Sequence, residues 1–169
     1  MAGAPAWTPS DRVERFGAAV DVFSRSFPGR FLRADATGQG TIYLTGDVTT
    51  AMQAVIAQSG MPIRLVGGMP MNLEEETELS FKALTAVSKE FRGHGQAAFD
   101  LSTMRIEVDY DFDPATDQPA DAATIAAAER AIAHAIPGEQ GQRVHLRERT
   151  DLMRFSPAVL IPENDTSHR

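Results

Sequence analysis

The side chains of this chain with the most chemical potential are its carboxylates, above all those in VDYDFDPATD at 108–117. Asp109, Asp111 and Asp113 alternate as the carboxylates do in the first half of a calcium loop. The sixth position of such a loop is Pro114 where a glycine is needed, and the twelfth is Ala120 where a bidentate glutamate belongs. The same alternation is what one face of a β-strand produces. On that reading Ile106, Val108, Tyr110 and Phe112 point one way, and Glu107, Asp109, Asp111 and Asp113 face solvent, where their repulsion keeps a sheet edge from aggregating.

The histidines offer less. His94 sits in the glycine-flanked RGHGQ, which could bring backbone close to a ligand or simply end a helix. His134 and His145, with Glu129 and Glu148 near in sequence, make a conceivable metal set, but nothing supplies an i, i+4 chelating pair. No GxSxG elbow, HExxH helix or Walker loop is present, and GGMP at 67–70 reads as a turn after a strand. The expectation is a protein without catalysis, metal or cofactor.

Composition narrows the partners. With 16 Lys+Arg against 23 Asp+Glu the net charge is -7. Such a chain, lacking a basic cluster, is repelled by phosphate backbones and anionic lipid, so no nucleic acid and no membrane are expected. Cysteine is absent, which removes disulfides and thiolate chemistry. The first residues, MAGAPAWTPSDRVERF, lack the basic and apolar regions of a secretory signal, so the chain as written reads as soluble and cytoplasmic, or as secreted with its signal already removed.

Several elements must position these groups. After a leader over 1–9, Ser10 is placed to cap a helix whose Val13, Phe16, Val20, Phe23 and Phe27 share a face, ending before Pro28-Gly29. RFLRAD and TIYLTG form a hairpin. Asp47 caps a second helix with Val48, Met52, Val55 and Ile56 inward, and the strand PIRLVGG follows. Asn72 then caps a longer helix with Glu74, Glu75 and Glu76 in its first turn and an apolar stripe of Leu73, Phe81, Leu84, Val87 and Phe91. AAFDL and MRIEVDYDF make another hairpin. A helix over 122–136, with Ile125, Ala128, Ile132 and Ile136 buried, leads to the strand RVHLRER.

The expected class is therefore α+β: a helix and a ββαβ unit over 10–70, a bridging helix over 71–95, a second ββαβ unit over 96–150, and a tail over 151–169. Two such units can share a core that one alone is too small to bury. The tail, DLMRFSPAVLIPENDTSHR, is apolar where a terminus is usually polar, and its two prolines argue against a helix. It either packs on the protein's own surface as an edge strand or serves as a peptide arm for a partner.

The stretch FPGRFLRADATGQGTIYLTGDVTTAMQAVI, then the Leu73–Phe91 helix and AFDLSTMRIEVDYDF, resembles the pro-region modules of bacterial, mainly actinobacterial, chymotrypsin-fold serine peptidases of the streptogrisin and α-lytic type, over residues 23–150. The resemblance implies a non-catalytic module that assists folding of a peptidase and then inhibits it. By position, the binding parts would be the last strand, with Arg143, His145 and Arg147, and the tail, with Met153, Phe155, Val159 and Leu160. The competing expectation is a small acidic immunity- or antitoxin-like protein that covers a basic, toxin-like partner with Glu107, Asp109, Asp111 and Asp113, or with Glu74–Glu76.

Overall fold

The computed structural model describes residues 6–90, 95–110 and 121–148. Its class is α+β, and the chain divides into two compact units, Met1–Thr77 and Glu78–Arg169. Each carries a three-stranded sheet built as strand, strand, helix, strand. The expected pair of ββαβ units is present.

In the first unit, helix α1 (Pro9–Ser26) precedes strands β1 (Phe31–Asp35) and β2 (Thr41–Thr45), which pair antiparallel. Helix α2 (Thr50–Gln58) returns the chain so that β3 (Arg64–Met69) lies parallel to β2, giving the order β1-β2-β3. Phe16, Ala19 and Phe23 of α1 and Met52 and Ile56 of α2 pack with Ile42 and Leu44 of the central strand. The 3- and 4-residue steps on α1 thus bury the expected face, except that Val13 is exposed.

Two caps differ from expectation. Thr8, not Ser10, opens α1: its hydroxyl accepts from Asp11 N at 3.1 Å while the Asp11 carboxylate accepts from Thr8 N at 3.2 Å. Pro9 decides this, because the first helical position needs no N–H and suits its fixed φ. Thr49, not Asp47, caps α2, its hydroxyl accepting from Met52 N. Asp47 is held in the preceding turn, where Arg30 donates to the carbonyls of Thr45 and Asp47, both at 2.7 Å. Beside that turn Gly68 N bonds Gly46 O, and a Cβ on Gly67 would overlap the same carbonyl, so β3 can approach there only as glycine.

Helix α3 (Leu73–Val87) begins at the expected cap, with Glu75 N donating to Asn72 Oδ1 at 2.9 Å, and the boundary between the units falls within it. Its fully buried face shares only Val87 with the expected stripe. Glu76, Leu79, Ser80, Ala83, Ala86 and Val87 are buried, whereas Leu73 and Phe81 are exposed. The 3- and 4-step series runs through smaller residues, and helical phase outranks side-chain size. Phe91 lies outside the described residues.

In the second unit, β4 (Gly95–Asp100) and β5 (Arg105–Tyr110) form an antiparallel hairpin, and α4 (Ala122–Ala135) and the short α5 (Glu139–Gln142) lead to β6 (Val144–Glu148), parallel to β5. The sheet order is β4-β5-β6. Asp121 caps α4 by accepting from Thr124 N at 2.7 Å. Ala128, Ile132 and Ile136 are buried on the expected stripe, as are Phe99, Ile106, Val108 and Tyr110 on the strands. The hairpin turn rests on Asp100, whose carboxylate accepts from Ser102 N and whose carbonyl accepts from Met104 N. Met104 pays for that turn with φ 57, a left-handed conformation unusual for a residue with a long side chain.

Candidate functional site

The register of the second sheet brings together the two residue sets that stood as rivals in the sequence. Glu107 lies opposite His145, and Asp109 opposite Arg147. Period-two alternation puts all four on one face of the sheet, with Ile106, Val108, Val144 and Leu146 on the other.

On the polar face the contacts are close. His145 Nδ1 lies 2.6 Å from Glu107 Oε2, and Arg105 Nε donates to Glu107 Oε1 at 2.9 Å. Arg147 grips Asp109 with two donors, Nε to Oδ1 at 2.6 Å and Nη2 to Oδ2 at 3.0 Å. A further ion pair links Arg147 to Asp100 at 3.5 Å. The forked guanidinium suits a carboxylate in this way because its N–H groups diverge at the spacing of the two oxygens.

Burial is uneven across the pairs. The Glu107 and Asp109 side chains are 2% and 7% exposed, while those of His145, Arg105 and Arg147 are 44%, 40% and 35% exposed. The expectation that Glu107 and Asp109 face solvent is therefore corrected: both lie beneath cations supplied by the same sheet. Two neighbouring strands carry carboxylates and their hydrogen-bonding partners at paired positions, which sequence distance concealed. Burial by itself would raise the Glu107 carboxyl, but hydrogen bonds from His145, Arg105 and Thr103 outweigh it and hold the group below its ordinary value. The Asp109 carboxylate holds Arg147 more firmly protonated than usual.

β6 is the terminal strand of this sheet among the described residues. Beside it a cleft of about 320 Å³ opens between α4, α5 and the strand, lined by Ile132, Ile136, Val144, His145 and Leu146, with Glu129 also in its lining. No residue of β4 or β5 lines it, so it follows the outer, β6 side of the sheet. Arg143 ends α5, and its carbonyl accepts from Ile106 N at 2.7 Å, which ties the start of β6 to β5.

The remaining candidates separate. His134 is exposed on α4. Among the described residues no group of three or more His, Asp or Glu is arranged to hold a metal ion, and no helix is long and apolar enough to cross a membrane. His94, Asp111, Phe112, Asp113, Met153, Phe155, Val159 and Leu160 lie outside the described residues. The cleft behind β6 was not legible in the sequence, although Gly138 and Gly141, which punctuate the approach to β6, mark where the chain bends to form it. Compared with known proteins, the chain matches no family model and no curated sequence.

Proposed function

We propose that the protein is a non-catalytic, protein-binding module that engages its partner through the edge of β6 and the tail over 151–169, in the manner of a peptidase-directed inhibitor or folding assistant. The observation that carries this reading is the position of β6 at the end of the second sheet, beside an apolar cleft. An edge strand has unpaired backbone donors and acceptors, and an extended segment that adds to it obtains main-chain hydrogen bonds for affinity and side-chain pockets for specificity. The apolar composition of the tail, and the resemblance of residues 23–150 to streptogrisin-type pro-regions, support the same direction.

The test is inhibition of a mature streptogrisin-type peptidase by the full chain and by a chain ending at Thr150. The reading expects saturable inhibition by the full chain and weaker inhibition by the shorter one. Equal inhibition would remove the tail from the site, and no binding to the peptidase by either chain would refute the peptidase-directed role.

A further inference from the structure

We propose that β4 is the surface through which two copies of this chain associate, their β4 edges pairing antiparallel about a twofold axis at Ala98. Among the described residues four strands end the two sheets: β1, β3, β4 and β6. A terminal strand templates further pairing unless bulges, kinks or charged side chains discourage it. β1 has a register shift between Phe31 and Arg33 and carries Arg33 and Asp35. β3 begins at the exposed Arg64, and Gly68 bends it with φ 80. β6 carries Arg147 and Glu148. β4 differs from all three. Its six residues pair with β5 in unbroken register, from Gly95 opposite Tyr110 to Asp100 opposite Arg105, and no charged side chain stands before Asp100. Gly95, Gln96 and Ala98 are exposed.

The occupant is a second copy because β4 is complementary to itself. In an antiparallel pair, residues directly opposite share a face of the sheet. With Ala98 at the axis, Gln96 of each copy stands opposite Asp100 of the other, and Ala97 opposite Phe99. Gln96, Ala98 and Asp100 share one face, since they pair with Asp109, Glu107 and Arg105 of β5. The Gln96 side-chain amide has no hydrogen-bond partner among the described residues. Asp100 holds its own turn through Oδ1, while Oδ2 meets Arg147 at 3.5 Å. A carboxylate has about four acceptor positions, so capacity remains for the Gln96 N–H of the second copy. The contact forms twice across the axis, and this register never sets Asp100 against Asp100. The joined sheet would run β6-β5-β4-β4-β5-β6, with a β6 edge at each end, so one assembly would offer two edges to a partner.

The test is sedimentation velocity of the full chain from about 10 µM to about 1 mM in about 0.15 M salt, where repulsion between copies of net charge -7 is screened. Amide NMR over the same series locates the contact. The expected result is a monomer–dimer equilibrium with shifts confined to 95–100 and the amides beside them. Gln96→Glu sets an acid opposite Asp100 twice and should weaken the dimer about tenfold, whereas Gln96→Lys should associate at least as tightly as the parent. The amide spectrum of each variant in dilute solution reports whether the sheet is intact. A chain that stays monomeric throughout overturns the proposal, as does a dimer whose shifts lie elsewhere. Equal weakening by both substitutions would overturn the pairing of Gln96 with Asp100, and the twofold at Ala98 with it. Strong exchange protection of every β4 amide in the dilute chain would show that the chain's own residues fill the edge, which also overturns the proposal.

Discussion

Glu107→Gln tests whether the buried carboxylate holds β6 to β5. The substitution keeps the side chain's shape but removes its charge and replaces one acceptor oxygen with a donor NH₂. Glu107 accepts from His145, Arg105 and Thr103, and hydrogen bonds to a buried charged group are worth about 1.5–3 kcal/mol each. His145 and Arg105 are more than a third exposed, so water can satisfy their freed donors, and each of those contributions falls toward the about 0.2–1 kcal/mol of a surface pair. The expected loss at neutral pH is therefore about 2 kcal/mol. The pH dependence has a definite sign. Because the folded Glu107 pKa lies below its unfolded value, its contribution is complete above the ordinary glutamate range and is lost as pH falls through the lower, folded value. The parent should thus lead the variant at pH 7 and converge with it in strong acid. Urea midpoints by circular dichroism at both pH values measure the gap. Amide exchange at 105–110 and 144–148 assigns it to the second unit. A variant as stable as the parent at neutral pH, or a gap equally large in strong acid, would refute the reasoning.

Other substitutions probe the elements that place this sheet and its counterpart. Gly40 has φ 91, and a Cβ there would overlap the Phe16 ring, so Gly40→Ala should cost about 2–3 kcal/mol in a denaturant titration. Phe23 is fully buried in the first core, and Phe23→Ala should cost about 3–5 kcal/mol, a loss that exchange should register first at β2 amides. Asn72 caps α3 and also donates to Gly29 O at 3.0 Å; Asn72→Ala should cost about 1–2 kcal/mol, more than loss of the cap alone, as read from thermal melts of the two chains. Met104→Gly relieves a left-handed side chain at an exposed turn, and the expected melting temperature is equal to or slightly above the parent's.

Much of the fold was legible because it depends on local patterns. Alternation in TIYLT and RIEVDY, the 3- and 4-residue steps of Phe16, Val20 and Phe23, and the turn residues between them are each dictated within a few positions of chain. Asn72 could be identified as a cap for the same reason: its partner, Glu75, is three residues away. Where expectation failed, a second local rule or a distant partner decided. Pro9 moved one cap, and Arg30, reaching across from before β1, held Asp47 out of the next helix. On α3 the phase of the helix buried alanines and left Phe81 in water.

The candidate site divides along the same line. Sequence alone established that the chain has two similar units, that Glu107 and Asp109 share a strand face, and that His145 and Arg147 share another, because period two requires it. It could not establish that these faces are the same one. That depends on the parallel register of β6 against β5, which joins positions 38 residues apart in the chain. Tertiary structure therefore decided whether these acids were a repulsive surface or the buried half of a paired ladder. Charges on separate strands acquire a meaning only when the strands are laid side by side.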